Sequence, residues 1–180
     1  MKVSFIVPLY NCLPLTQAML ASLQSTLPAG LAHEIILVDD GSTDGTRDWL
    51  AGLGAPCRVL VNEANLGFAG ACNRGAAAAG GEFLFFLNND LVLLPGWLEP
   101  MLAILHGTPD VGIVGNVQLR AATGEIDHAG IFFNHLGKPE HLTALPVTTR
   151  LLGWPVSQAV RAFISAVKVL RYPCPSMRSM

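Results

Sequence analysis

Polar side chains follow four apolar segments of the chain, and their types suit the binding of a phosphorylated nucleoside. A carboxylate accepts hydrogen bonds from a base N–H or a ribose hydroxyl. Mg²⁺ and Mn²⁺ prefer oxygen ligands and are often held by one or two carboxylates together with phosphate oxygens. The four polar clusters are Tyr10-Asn11, Asp39-Asp40, Asn65 and Asn88-Asn89-Asp90.

Each cluster alone has a simpler explanation. Asp39-Asp40-Gly41-Ser42 is also a sequence that caps a turn, and Asn88-Asn89-Asp90 is also a sequence that makes one. Asp40 to Asp44 partly matches a calcium loop, but Ala51 stands where that loop needs a bidentate glutamate, so calcium is excluded.

A glycine-rich segment follows the third apolar run. Residues 65–70 read Asn-Leu-Gly-Phe-Ala-Gly, which is not the G-x-G-x-x-G pattern of dinucleotide-binding domains. A nicotinamide-dependent oxidoreductase is therefore disfavoured. The small residues would let the backbone approach a nucleotide, and close packing of a helix on a sheet explains them equally well.

Apolar periodicity predicts strands and helices in alternation. Short β-rich runs bounded by turn residues predict strands, and apolar residues at helical spacing predict helices between them. The predicted strands are Val3–Leu9, Glu34–Asp39, Arg58–Val61, Glu82–Leu87 and Val111–Val117. The predicted helices are Pro14 to Leu27, Thr46–Leu53, Gly67–Gly80 and Pro95 to His106.

This order predicts an α/β fold with a mostly parallel sheet and helices on both faces. The strands are continuously apolar rather than alternating, as in sheets buried on both sides. Ligands of such folds bind beyond the carboxyl ends of the strands. All four polar clusters stand at those ends, so we expect them to converge on one edge of the sheet.

Composition and charge exclude several classes of protein. The chain has 180 residues, 51% of them hydrophobic, and a net charge of −2, which argues against a nucleic-acid binder. The four cysteines are scattered, which predicts buried free thiols in a reducing compartment rather than a zinc or redox motif. No apolar run is long enough to span a membrane. We expect a cytoplasmic protein, with peripheral association at the inner face of the membrane still open.

Taken together, the motifs resemble those of family 2 glycosyltransferases of the GT-A (Rossmann-like) fold. The resemblance covers about residues 1–135, and Asn88-Asn89-Asp90 with the segment 126–130 is most similar to the rhamnosyltransferase-like branch. The matching segments are residues 7–11 (Val-Pro-Leu-Tyr-Asn), 36–44 (Ile-Leu-Val-Asp-Asp-Gly-Ser-Thr-Asp), 65–69 (Asn-Leu-Gly-Phe-Ala), 73–75 (Asn-Arg-Gly) and 85–90 (Phe-Phe-Leu-Asn-Asn-Asp).

The resemblance implies a site and a reaction. The donor would be a UDP- or dTDP-linked sugar, the acceptor a saccharide or lipid-linked hydroxyl, and transfer would invert the anomeric centre during cell-surface polysaccharide synthesis. A carboxylate base would remove the acceptor proton. Nucleotide-sugar contacts are implied for Pro8, Tyr10, Asn11, Asp39, Asp40, Asn65, Gly67 and Asn89, and an Mg²⁺ or Mn²⁺ position for Asp90 with Asn88.

The sequence departs from this family after Glu140. All 13 acidic residues lie at or before that position, so no residue matches the catalytic base, which stays unknown. We expect a nucleotide-sugar-binding domain over residues 1–135 and an incomplete acceptor-side region over 136–180, with a tail from about Arg161 that is truncated or out of frame. The alternative function is an inactive fragment or pseudoenzyme that binds the donor, and we also expect self-association.

Overall fold

A computed structural model describes residues 1–108, 111–129, 131–133, 135–136, 138–141 and 169–171 of the chain. These residues divide into two compact units. The first is formed mainly by Met1–Ala21 and Pro28–Leu91, and the second by Ser22–Leu27 and the described residues after Leu91.

Strands and helices alternate through the first unit, as predicted. The strands of the described chain are β1 Val3–Leu9, β2 His33–Asp39, β3 Cys57–Val61, β4 Phe83–Phe86, β5 Leu91–Leu93, β6 Gln118–Arg120, β7 Ile126–His128, β8 Ile131–Phe133, β9 Pro139–His141 and β10 Val169–Arg171. The helices are α1 Leu13–Thr26, α2 Thr46–Leu50, α3 Gly67–Ala78 and α4 Glu99–Gly107.

The first unit is built on a parallel sheet with the strand order β3-β2-β1-β4. The central strand β1 pairs in register with both neighbours, so that Val3 lies beside His33 on one side and Phe83 on the other. All seven residues of β1 are buried, which requires cover on both faces of the sheet. The predicted α/β fold with a mostly parallel sheet is therefore confirmed.

Helix α3 packs on β1 and β2 through its small residues. A Cβ atom at Gly75 would lie 2.4 Å from Cγ2 of Ile6 and 3.1 Å from Cγ2 of Val38. Ala71 is fully buried in the same contact. The alanine- and glycine-rich sequence of this helix thus brings its backbone close to the sheet, which fixes where the helix begins relative to the strand ends.

The second unit carries the main correction to the sequence prediction. Residues 111–117 form no strand, and the strand begins only at Gln118, in a sheet of order β5-β10-β6-β7. Gly112 and Gly115 interrupt the apolar run, and glycine weakens a strand because it loses the most backbone entropy and packs nothing. β8 and β9 form a separate antiparallel pair.

Helix α4 begins later than predicted, at Glu99 instead of near Pro95. Gly96 adopts a positive φ of 79°, a left-handed turn conformation that ends the preceding segment before the helix can start. Within the described residues, no helix is long and apolar enough to cross a membrane.

The prediction of free thiols is wrong for Cys12, which is disulfide-bonded. Cys57 and Cys72 are free, as expected, and burial raises the pKa of both thiols. Scattered spacing cannot reveal a disulfide, because the bond depends on distances in the folded chain and not on separation along it.

The boundary expected between residues 1–135 and 136–180 stays a prediction. Apart from β10, the tail from about Arg161 lies outside the described residues.

Candidate functional site

Asp39, the last residue of β2, is held on both carboxylate oxygens. The side chain is fully buried. Its Oδ1 accepts a hydrogen bond from the backbone N–H of Ser42 at 3.0 Å, and its Oδ2 accepts one from Nε of Arg47 at 3.0 Å. A buried carboxylate is tolerated when it is paired and hydrogen-bonded in this way. Asp39 therefore joins the end of β2 to the first turn of α2.

Asp40 lies beside it in a different environment. Its backbone N–H donates to the carbonyl of Leu9 at 2.8 Å, so the chain after β2 remains hydrogen-bonded to the last residue of β1. Its Oδ1 accepts from Nδ2 of Asn62 at 2.5 Å and from the N–H of Leu66 at 2.9 Å. Oδ2 receives no hydrogen bond from the described residues, and the side chain is 2% exposed. One oxygen of Asp40 is thus fixed and the other is left to accept.

Asn62, which follows β3, connects both aspartates to two arginines. Its N–H donates to the carbonyl of Asp39 at 2.8 Å, and its carbonyl accepts from Nη2 of Arg47 at 3.0 Å. Its side-chain Oδ1 accepts from Nη1 of Arg74, which also donates to the carbonyl of Val61 at 2.8 Å. Asn62 is 1% exposed. Asn62 and Arg47 were not predicted as site residues, and Arg74 was given no role of its own.

Asn11, after β1, fixes the loop that follows β2. Its N–H donates to Oγ of Ser42 at 2.8 Å, and its Oδ1 accepts from the N–H of Thr43 at 2.7 Å. Asn11 has a φ of 58°, in the left-handed region that asparagine tolerates better than most residues. Gly41 is needed in this loop, because its φ is 84° and a Cβ there would lie 3.2 Å from the backbone nitrogen of Asn65.

Asp44 links the same loop to α1. Its Oδ2 accepts from the N–H of Leu13 at 3.0 Å, while Oδ1 accepts from the hydroxyl and the N–H of Thr46 at 2.6 and 3.2 Å. Burial raises the pKa of this carboxyl, and the hydrogen bonds from Thr46 and Leu13 lower it further than burial raises it. Gly45 directly precedes α2, so Asp44 satisfies the N–H of Thr46, the first residue of the helix, from two positions earlier.

Asn89 joins β4 to β1 through its side chain. Nδ2 donates to the carbonyl of Asn11 at 3.2 Å and to Oγ1 of Thr16 at 3.0 Å. The residue is fully buried, and its Oδ1 has no hydrogen-bond partner among the described residues. In this arrangement Asn89 holds the Asn11 backbone.

Asp90 and Asn88 stand on either side of Asn89 at the same strand end. Asp90 is 2% exposed and Asn88 is half-buried. Within the described residues, no group of three or more His, Cys, Asp or Glu side chains could hold a metal ion. One carboxylate does fit a different kind of site, in which Mg²⁺ or Mn²⁺ is held jointly with the phosphate oxygens of a nucleotide.

The remaining predicted residues lie around this network. Pro8 is buried within β1, beside Val38, and Tyr10 is half-buried just beyond it. Asn65 is exposed, and its Oδ1 accepts from the N–H of Gly67, the first residue of α3. The structure thus connects Asn11, Asp39, Asp40 and Asn89 by hydrogen bonds at one edge of the sheet, while the contacts predicted with a nucleotide stay predictions.

The chain is similar in sequence to several glycosyltransferases. The chain is 34% identical over 122 residues to an uncharacterized glycosyltransferase of Nostoc sp., covering 66% of this chain and 37% of that protein. It is 29% identical over 125 residues to glycosyltransferase AglE of Haloferax volcanii, covering 68% and 41%. It therefore spans well under half the length of these relatives.

Among solved structures, TarS of S. aureus in complex with UDP-GlcNAc matches with a TM-score of 0.54 and 28% sequence identity, over 66% of this chain and 34% of that one. The α/β fold is thus the GT-A fold implied by the sequence motifs. The model of the family "Glycosyl transferase family 2" matches residues 4–156. The chain belongs to glycosyl transferase family 2.

Proposed function

We propose that this chain binds a UDP- or dTDP-linked sugar at the carboxyl edge of its first sheet and transfers the sugar to an acceptor hydroxyl. The observation that carries the proposal is the hydrogen-bonded network that joins the ends of β1, β2, β3 and β4 and leaves one oxygen of Asp40 to accept. TarS, whose fold is similar, is solved with UDP-GlcNAc and with UDP.

The two aspartates take different roles in this proposal. Asp39 has both oxygens engaged, by Ser42 and Arg47, and supports the loop. Asp40 uses Oδ2 to accept the N3–H of a uracil or thymine base. A ligand that supplies this hydrogen bond satisfies a nearly buried carboxylate oxygen, which is worth more than the same bond in open water.

Asp90, with Asn88, would hold Mg²⁺ or Mn²⁺. A metal bound there would supply positive charge that stabilises the leaving diphosphate. Because the described residues offer a single carboxylate there, we expect the metal to bind tightly only together with the nucleotide. Asn89 is a positioning residue, since its amide orients the Asn11 carbonyl.

Inversion at the anomeric carbon, a role in cell-surface polysaccharide synthesis at the cytoplasmic face of a membrane, and the rhamnosyltransferase-like branch are the finer parts of the proposal. They rest on the sequence motifs.

Direct transfer to an acceptor hydroxyl requires a base. The described residues after Asp90 that carry a carboxylate are Glu99, Glu125, Asp127 and Glu140.

Calorimetric titration tests the donor site. UDP and dTDP are titrated with and without Mn²⁺ into the wild type, Asp40→Asn and Asp90→Asn. We expect Mn²⁺ to tighten UDP binding to the wild type at least about tenfold. Asp90→Asn should lose this gain and keep the metal-free affinity, whereas Asp40→Asn should weaken binding under both conditions. Asp48→Asn, an exposed aspartate of α2, is the matched control.

A folded wild type that binds neither nucleotide would contradict the proposal. Binding that Asp90→Asn leaves equally metal-dependent would remove Asp90 from the metal position.

A donor-binding protein without transfer activity is the second candidate, because residues 141–180 carry no Asp or Glu to match the family's catalytic base. Transfer to a saccharide acceptor and hydrolysis of the donor are measured on the same preparation. Metal-dependent nucleotide binding with neither reaction would favour this second candidate.

A further inference from the structure

We propose that Arg74, acting through Asn62, is a positioning residue that aims Asp40 and so sets the preference of the site for a base with an N3–H. The inference rests on the proposed function. Arg74 lies on α3, and its guanidinium reaches back to the end of β3, where Nη1 donates to the carbonyl of Val61 at 2.8 Å and to Oδ1 of Asn62.

The amide of Asn62 stands between a cation and a carboxylate. Its Oδ1 faces Arg74, and its Nδ2 donates to Oδ1 of Asp40 at 2.5 Å. Rotating the amide by half a turn would place the NH₂ group against the guanidinium and the oxygen against the carboxylate. Both contacts would then be repulsive, because arginine only donates and an ionised carboxylate only accepts. The two charges therefore hold the amide in one orientation.

The backbone of Asn62 is fixed independently of Arg74. Its N–H donates to the carbonyl of Asp39, and its carbonyl accepts from Arg47. Removing the Arg74 guanidinium thus takes away one of the two contacts that orient the Asn62 amide, together with the bond to the carbonyl of Val61, while both backbone bonds of Asn62 remain. Asp40 would then keep the bond from the N–H of Leu66 to Oδ1 but hold a less constrained bond from Asn62, so Oδ2 would be less firmly held in one direction.

The direction of Oδ2 of Asp40 decides whether the site can distinguish uracil from cytosine. Uracil presents an N3–H between two carbonyl groups, and a carboxylate oxygen aimed at N3 accepts from it. Cytosine has an unprotonated nitrogen at that place, so the same oxygen meets an acceptor and is repelled. A carboxylate that can turn would lose both the bond to uracil and the repulsion of cytosine.

The experiment compares UDP with CDP in calorimetric titrations, with Mn²⁺ present, on wild type, Arg74→Met, Arg74→Lys and Arg58→Met. Methionine keeps most of the apolar stem and removes every donor. Lysine restores a cation that can donate to Asn62. Arg58 is the matched control, because its Nη1 also donates to a backbone carbonyl, that of Ala78, away from the site.

We expect Arg74→Met to reduce the UDP-to-CDP affinity ratio by about tenfold, the size of one charge-assisted hydrogen bond. Arg74→Lys should recover most of the ratio, and Arg58→Met should leave it unchanged. Because both nucleotides are titrated into one preparation, a smaller folded fraction lowers the measured stoichiometry and leaves the ratio intact. A general loss of stability therefore cannot mimic the expected result.

An unchanged ratio in Arg74→Met, with UDP still bound by the wild type, would overturn the positioning role and leave the proposed function standing. A folded wild type that binds no UDP would instead contradict the proposed function, and this inference with it. Loss of the ratio in Arg58→Met as well would also overturn the inference, since the effect would then not be specific to Arg74.

Discussion

The two edges of the first sheet both carry polar clusters, but among the described residues only the carboxyl edge has a buried side-chain atom without a hydrogen-bond partner. At the amino edge, Oε1 of Glu34 accepts from Oγ of Ser4 at 2.7 Å and from the N–H of Gly80 at 2.8 Å, and lies 3.0 Å from Nζ of Lys2. Gly81 donates to Oγ of Ser4 at 2.9 Å. These contacts satisfy one another and tie β1, β2 and the start of β4 together.

At the carboxyl edge, not every buried polar atom has a hydrogen-bond partner among the described residues. Oδ1 of Asn89 is buried and receives no hydrogen bond from the described residues, and Oδ2 of the neighbouring Asp40 receives none either. An unsatisfied buried polar atom costs free energy, so its presence at this edge calls for a ligand, a metal or water that completes it. The amino edge stabilises the fold, and the carboxyl edge is where we expect ligand chemistry. Changes at the two edges should therefore separate stability from nucleotide affinity.

The largest effect on stability is expected for Asp39→Ala. The change leaves the N–H of Ser42 and the Arg47 guanidinium without their carboxylate, which should lower the free energy of unfolding by about 2–3 kcal/mol. Urea denaturation measures the loss, and Asp48→Ala on the exposed side of α2 should cost little. A loss no larger than that of the control would show that the ion pair between Asp39 and the partly exposed Arg47 contributes nothing to the stability of the carboxyl edge.

Gly81→Ala should destabilise the amino edge without affecting the site. A Cβ at Gly81 would lie 2.6 Å from the backbone nitrogen of Ser4, so the backbone must move, at a cost of about 1–3 kcal/mol. UDP affinity of the folded protein should stay within about twofold of the wild type. Gly54→Ala is the control, since no atom lies within 4 Å of its Cβ position. A large loss of UDP affinity would show that the two edges are coupled.

Glu34→Gln should show how much the charge of Glu34 contributes to stability, through the pH dependence of the free energy of unfolding. The hydrogen bond from Ser4, with those from Gly80 and Lys2, lowers the pKa of Glu34 from 4.5 to about 2, although burial opposes the shift. Because the folded pKa is the lower one, the stabilisation is complete above pH 4.5 and is lost as the pH falls towards 2.

We therefore expect Glu34→Gln to cost about 1–2 kcal/mol at pH 7, allowing for partial exposure of the pair, and the difference from wild type to shrink below pH 4.5. Unfolding free energies of both proteins across this range provide the measurement. A difference that does not change with pH would assign the cost to geometry rather than to charge.

Ser42→Ala should have the smallest effect on stability. It removes the acceptor for the N–H of Asn11, worth about 0.5–1.5 kcal/mol, and loosens a residue held at a positive φ. We expect UDP affinity to fall a few-fold, because Asn11 belongs to the site edge. Ser42→Thr keeps the hydroxyl and should behave like the wild type in both measurements. Equal losses in the two variants would mean that the hydroxyl is not what holds Asn11.

Local pattern predicted the strands of the first unit well, because each is a short apolar run closed by turn residues. β1 was predicted from Val3 to Leu9 and has those bounds. The convergence of Asn11, Asp39, Asp40 and Asn89 was also predictable, since parallel strands end on the same edge. The wrong strand at 111–117 shows the limit of this signal, because an apolar run interrupted by glycine does not reveal whether a neighbour exists to pair with it.

Sequence could not assign the partners within the site. Arg47 and Arg74 read as ordinary charged residues of solvent-exposed helices, and their roles depend on contacts made 8 to 15 residues away. Asn65 was singled out after β3, whereas the residue that binds Asp40 is Asn62, three positions earlier. The path of the chain after β3 decides whether Asn62 or Asn65 points inward, and this path cannot be predicted from the residue types alone.

The hydrogen-bonded network at the carboxyl edge also bears on the order in which the chain folds. Asn11 meets Ser42 across 31 residues of sequence and Asn89 across 78, and Asn62 meets Asp40 across 22. Loop-closure entropy for contacts this distant must be overcome before any of them forms. We therefore expect the carboxyl edge to form only when all four strands are paired, and the nucleotide binding proposed above would then depend on completion of this sheet.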